Sequence, residues 1–416
     1  MNEKLFTKNF SLLIAGLAVS LFGNCILDFA LSMYVLEMTG SAAVFAGFLA
    51  AAMLPTILLS PLGGVLADRV NRRNIMVSLD VLSGLVILAS AIFVTRGNDL
   101  LIIGITLVVM SVLGAFESPT VQACVPQMQS GNNIVRGNAV VNQISAISTL
   151  AGPFAGSMLY TAFGLKTVMY AGAACFFVTA LFECFIRLPQ IPTKPEGSFL
   201  ATIRSDLAVS SRYICKEQTA ILKLLLLVAL VAFFIQGVAL IGLPYMVRNT
   251  LGLSANYYGA MESVLGVASL AGSVAAGFLI SKFRTSNLSL LILGIGLCLF
   301  PIGASFILPA SVYLRYGTLL CFFVMIQVIA SIFSIFGLSI IQQLTPESMI
   351  GKIMAYTSTI TLCAQPVSQI IYGIAFDAFS HAVFLVILPT GIVLCGVGFC
   401  TRRFFLKLEK QLKPDA

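Results

Sequence analysis

Three carboxylates stand inside long apolar stretches of the chain: Asp28, Glu117 and Glu262. An ionisable group in such a stretch is costly, so it marks a working site or pairs with a neighbour. A carboxyl group surrounded by hydrocarbon favours its neutral form, which suits it to taking up and releasing protons near neutral pH. The chemistry these three could perform is proton exchange, or contact with a cationic or polar solute. At 1.5 Å per residue, Asp28 lies roughly 27 Å along the first apolar run, with Asn24 one turn before it on the same face. Glu117 lies in the inner half of the fourth run beside Ser118 and Pro119. Asn142, Gln143, Gln236 and Gln327 are further polar residues at intermediate depth and are candidates for lining a cavity. For each, a hydrogen-bonded structural role between helices is the alternative. Glu183 is followed one turn later by Arg187, a spacing that predicts a local ion pair. Asp80 and Asp377 fall near predicted helix ends and read as structural.

The elements that must hold these residues follow from composition. Of 416 residues, 59% are hydrophobic and only 10% charged, with a mean hydropathy of +1.01. A soluble domain carries about a quarter charged residues, so soluble and disordered chains are both excluded. A bilayer-spanning helix needs about 20 apolar residues. Apolar runs predict twelve: 10–36, 42–67, 75–95, 100–123, 137–160, 166–187, 220–247, 255–280, 287–308, 312–342, 353–375 and 380–401. The first run follows Lys4 and Lys8 but is too long for a signal peptide, contains Asp28 and lacks a small-residue cleavage site, so it reads as a retained helix. The fold class is an all-α membrane protein.

Charge sets the orientation. With a cytoplasmic N-terminus, all of the 24 Lys and Arg except Arg96, Lys166, Arg248 and Arg315 fall on inner segments. Both termini are therefore expected in the cytoplasm, for a multi-pass protein of the plasma (inner) membrane. The net charge of +8 is spread over every inner loop, which argues against a nucleic-acid partner. Most of the ten cysteines lie within apolar runs and none in a predicted outer loop, so free thiols are expected. The absence of a CxxC pair and the single histidine, His381, exclude a zinc site.

Residues 1–187 form a first six-helix half and residues 220–401 a second. A polar linker, 188–219, joins them, and 402–416 form an inner tail. In the linker Phe199, Ile203, Leu207 and Ile214 recur at helical spacing, which fits an amphipathic surface helix or a solvated tether. The halves repeat each other at one constant offset: Ala151 pairs with Ala364, Pro153 with Pro366 and Gly64 with Gly277. One gap later, Tyr160 pairs with Tyr372. Parallel six-helix repeats with a solute site between them typify transporters.

The loop after the second run reads GGVLADRVNRR, a tight inner turn with a carboxylate at a helix end and three cations behind it. On Gly64, Leu66, Asp68, Arg69, Arg72 and Arg73 it resembles the signature loop of the major facilitator superfamily, with Asn71 replacing a glycine. The replacement is tolerable because Asn accepts a left-handed backbone. The resemblance implies that this loop braces the two halves, giving Asp68 a conformational role. In the fifth run, Gly152, Pro153 and Gly156 of AGPFAGS resemble the end of the G-P-x-x-G-G motif of drug–proton antiporters in that superfamily, with Ser157 in the last glycine's place. Close helix packing around a proline kink is the plainer reading. Over its full length the chain is similar to twelve-helix efflux members such as macrolide and enterobactin exporters. One departure is the fourth run, which lacks the arginine that many of the antiporters carry there.

The expectation is a secondary transporter working by alternating access, exporting amphipathic drugs or similar small molecules in exchange for protons. A dedicated exporter of an endogenous solute such as a siderophore, or a lysolipid flippase, is the alternative. No GxxxxGK[ST] loop supports ATP-driven transport, and no catalytic cluster supports an enzyme. No cofactor is expected. The expected partners are a small-molecule substrate, protons and the lipid bilayer, around a monomer.

Overall fold

In lipid every backbone N–H and C=O must be satisfied within its own segment, so apolar runs of this length form helices. The computed structural model describes residues 5–95, 97–130, 132–188, 219–280, 283–346 and 350–412. The predicted linker helix lies outside the described residues. The helices are α1 (Lys8–Thr39), α2 (Ala42–Arg69), α3 (Arg72–Phe93), α4 (Asp99–Met128) and α5 (Asn132–Cys184). After the linker come α6 (Thr219–Gln236), α7 (Ala255–Leu279), α8 (Asn287–Ile307), α9 (Val312–Leu344), α10 (Ile350–Ala378) and α11 (Phe384–Leu412). Among the described residues, eleven helical segments are long and apolar enough to cross a membrane.

The difference from the predicted twelve lies in α5. Its 53 residues would extend about 80 Å, more than twice a hydrocarbon core of about 30 Å. The helix breaks at Gly164, whose φ of 74° and ψ of 172° are non-helical. It therefore supplies both the fifth and the sixth predicted spans. A side chain at that φ would be strained, which is why the break falls on glycine.

Two more boundaries differ from expectation. Beyond Gln236, α6 continues in π-helical winding over Gly237–Gly242 and Met246–Thr250. Such winding arises where an extra residue is accommodated in the helix. At the C-terminus, α11 runs on to Leu412 rather than ending near 401, because TRRFFLKLEKQL contains no helix breaker.

The chain divides into two compact units. The first comprises Met1–Gly40, Gly47–Lys194 and Leu253–Ser263; the second comprises Ser41–Ala46, Pro195–Gly252 and Val264–Ala416. In the first unit α1 lies along α5, and α3 packs against α4 and α5. In the second, α8 packs against α9 and α11, and α10 against α6. The first unit's inner core gathers Phe10, Leu13, Leu17, Met76, Val121, Cys124 and Ile186. Lipid offers no hydrophobic drive between helices, so small residues at crossings carry the packing. A Cβ at Gly23 would stand 3.0 Å from Cys175, and one at Gly84 would stand 2.8 Å from Phe177.

Candidate functional site in the first unit

The AGPFAGS motif of α5 packs directly against α1. A Cβ on Gly152 would collide with Cys25, and one on Gly156 would stand 3.2 Å from Ile26 and Phe29. These residues flank Asp28, so the two glycines bring α5 against the turn that carries the carboxylate. Across from them, Gly259 of α7 leaves no room for a side chain against Ser157 and the Pro153 carbonyl. Three small-residue contacts thus draw α1, α5 and the start of α7 around one point.

At that point stand Asp28 and Glu262. Both carboxylates are close enough to Cys25 for their charges to act on its thiol. The Tyr258 hydroxyl hydrogen-bonds to Glu262, one turn away on α7. The Tyr258 ring stacks on Phe29, with centroids 5.7 Å apart and planes 19° from parallel. Asp28 has an exposed side chain although it stands deep within a spanning helix. Asn24, one turn earlier, is half-buried. The arrangement joins two carboxylates to a buried, stacked aromatic pair.

Glu117 belongs elsewhere. On α4 it accepts a hydrogen bond from Ser20 Oγ at 3.3 Å, and its charge acts on Asp80 and Glu183. The predicted pairing of Glu183 with Arg187 is corrected. Glu183 is buried beside Asp80 of α3, while Arg187 is exposed and its backbone N–H and carbonyl bind Asn9. Cross-helix packing, rather than the one-turn spacing, chooses the partner. Asp80, read as structural from its position near a helix end, is 1% exposed and forms part of this acid cluster.

The remaining polar candidates do not converge here. Asn142 and Gln143 are exposed on α5, Gln236 ends the regular winding of α6, and Gln327 is half-buried on α9. In the loop motif, Arg72 binds the carbonyls of Ala67 at 2.9 Å and Ala123 at 2.8 Å. Arg73 binds the Cys184 carbonyl, and Arg69 is exposed. The loop arginines therefore tie neighbouring ends of α2, α3, α4 and α5 together. Asp68 lies on the last turn of α2, its side chain outside the described set. Gly64 faces open space; its neighbour Gly63 makes the tight crossing, with Pro119 at 2.9 Å from where a Cβ would stand. Asn71 sits at φ −60° and ψ 114°, not left-handed, and caps α3 by accepting from Arg73 N at 3.1 Å. It serves there as a helix cap, a role for which asparagine is well suited.

In the second unit the most connected carboxylate is Asp377, at the end of α10. It accepts hydrogen bonds from Ser41 Oγ and from the backbone N–H groups of Ala42 at 2.6 Å and Ala43 at 3.0 Å. It therefore occupies the positive N-terminus of α2, in keeping with a structural role.

Sequence reasoning missed Tyr258 and Cys25, and it did not place Asp80 and Glu183 together. The one-turn spacings of Tyr258 to Glu262 and of Cys25 to Asp28 were signals that could have found them, whereas the approach of Asp80 to Glu183 lies between helices, which sequence spacing does not report.

The sequence matches the family model described as Major Facilitator Superfamily over residues 12–368. The chain is 24% identical over 378 residues to macrolide efflux protein A of Streptococcus pyogenes, covering 87% of this chain and 88% of that one. It is 23% identical over 406 residues to the multidrug efflux pump Tap of Mycolicibacterium fortuitum, covering 94% and 95%. Among solved structures it resembles the POT family transporter PepTSo with a TM-score of 0.71, at 14% identity and 99% coverage of both chains.

Proposed function

We propose, from the premise that this chain belongs to the Major Facilitator Superfamily, that it exports amphipathic small molecules in exchange for protons by alternating access. It is a multi-pass membrane transporter; the coupling ion, the direction and the site are our reading. The observation that carries this reading is the pair Asp28 and Glu262, gathered with Tyr258 and Phe29 around Cys25. Carboxylates that exchange a proton for a cationic or polar solute need two properties: access to water, and an alternative partner for the charge. Asp28 has an exposed side chain on α1, and the Tyr258 hydroxyl gives Glu262 a donor when it is ionised. The efflux relatives support the direction, and the distribution of Lys and Arg supports cytoplasmic termini.

The test is transport in proteoliposomes under an imposed pH gradient, with a panel of cationic dyes and macrolides. Gradient-driven movement by the wild type, abolished in Asp28→Asn and strongly reduced in Glu262→Gln, is the expected result. Movement of no panel compound by folded wild-type protein would sink the multidrug reading and favour a dedicated exporter or a lysolipid flippase. Movement that both variants sustain would leave a transporter with its site elsewhere.

A further inference from the structure

We propose that the last turns of α11 form a docking surface for anionic phospholipid headgroups. The helix starts at Phe384, and from there to Thr401 the chain carries no charged residue. That stretch advances about 27 Å, close to the roughly 30 Å of a bilayer's hydrocarbon core. Arg402 and Arg403, which follow it, therefore fall where hydrocarbon gives way to phosphate. The helix does not stop there but winds on to Leu412.

The packing of this extension decides which face stays open. Phe405 is 0% exposed and Leu408 1%. Glu409 Oε2 accepts the backbone N–H of Ser286, the N-cap of α8, at 3.1 Å. Glu409 is the one acid between Thr401 and Leu412, and this bond draws it to the packed side. At about 100° per residue, Arg402, Arg403, Leu406, Lys407 and Lys410 share the opposite face. All five are exposed. Phe399, on the same face just before them, is 73% exposed. Two buried side chains and the bond to Ser286 fix the rotation of the segment, so this face cannot turn inward.

Composition names the occupant. Four cations with no acid between them attract an anion, and the planar donors of arginine match phosphate oxygens. Phe399 and Leu406 among the cations call for hydrocarbon beside that anion, the pattern of a helix at a lipid interface. An anionic phospholipid carries both groups at this depth; inorganic phosphate carries only one. The orientation rule accounts for cations near the ends of spans, but not for their gathering on one face of a continued helix with apolar residues between them.

The full-length protein is reconstituted in vesicles of phosphatidylcholine and phosphatidylglycerol, extracted, and weighed by native mass spectrometry to count retained lipids. Wild type is expected to retain phosphatidylglycerol over phosphatidylcholine by about tenfold. Replacing Arg402, Arg403, Lys407 and Lys410 together by glutamine should abolish that preference. A second variant removes the same charge elsewhere, at Lys8, Arg136, Arg187 and Arg284, and should keep it. No preference in the wild type, or equal losses in the two variants, overturns the proposal. Should the first variant not fold, the wild type decides through a phosphatidylglycerol with a photoactivatable headgroup. Crosslinks within residues 399–410, displaced by unlabelled phosphatidylglycerol but not by inorganic phosphate, are expected. Crosslinks only on other segments, or displacement by inorganic phosphate as effective as by the lipid, would overturn it.

Discussion

Tyr160 and Tyr372 are counterparts in the internal repeat, and what each one touches separates the two units. Tyr160 donates to a carboxylate, Glu37, at 2.6 Å; Tyr372 meets a hydroxyl, that of Thr390, at 2.8 Å. The contrast extends through both units. The first contains Asp28, Asp80, Glu117, Glu183 and Glu262, all within spanning helices. The second keeps its described carboxylates, Asp377 and Glu409, at helix ends, where they accept backbone N–H groups of Ala42, Ala43 and Ser286. Its interior is aromatic instead. Phe233, Phe234, Tyr372 and Phe379 line a cavity of about 220 Å³, and Phe376 packs on Tyr245 and Tyr372. Among its described residues, the second unit packs without an acid deep inside a spanning helix.

The comparison can be broken most severely at the α1–α5 crossing. Gly152→Leu would drive a side chain into Cys25 and is expected to cost about 3 kcal/mol, read as a fall in melting temperature with loss of transport. A leucine at Gly64, which faces open space, should leave the melting temperature close to wild type. Equal effects at the two positions would refute the packing role assigned to the helix-five motif.

Asp28→Asn comes next, with gradient-driven transport expected to fall on the order of hundredfold, equivalent to about 2.7 kcal/mol, and little change in melting temperature. Asp377→Ala should do the reverse. It removes the cap of α2 and is expected to cost about 1–2 kcal/mol of stability, while transport remains driven by the pH gradient. If Asp377→Ala uncoupled transport and Asp28→Asn did not, the division between the two units would be reversed.

The repeat tyrosines give the smallest and most pointed test. Tyr160→Phe removes a hydrogen bond to a charged acceptor and should cost about 2 kcal/mol; Tyr372→Phe removes a neutral one and should cost about 1 kcal/mol. Melting temperatures of the two variants, measured in the same detergent, check the order.

Much of this architecture was legible in the sequence because a bilayer imposes length and polarity on every span. Apolar runs located the helices, and Gly152, Pro153 and Gly156 marked a close crossing. Single-residue geometry was harder to read. The break at Gly164 lies between two runs that helical winding otherwise joins, and the π-helical turns after Gln236 have no periodicity of their own. Asn71 was expected to act through a left-handed backbone and instead caps α3. At the candidate site, Asp28, Glu117 and Glu262 stood out as isolated acids in apolar sequence. Their grouping was invisible, because it depends on which faces α1, α3, α4, α5 and α7 turn toward one another. Glu183 illustrates the limit: its neighbour one turn away was an arginine, but its partner is an aspartate on another helix.

In the proposed function, carboxylates of the first unit couple solute to protons. Proton movement triggered by adding a cationic dye to proteoliposomes, read with a trapped pH indicator, tests it most directly. The wild type and Asp377→Ala are predicted to move protons opposite to the dye, and Asp28→Asn to move none. Dye transport without accompanying proton movement in the wild type, or proton movement that persists in Asp28→Asn, would contradict it.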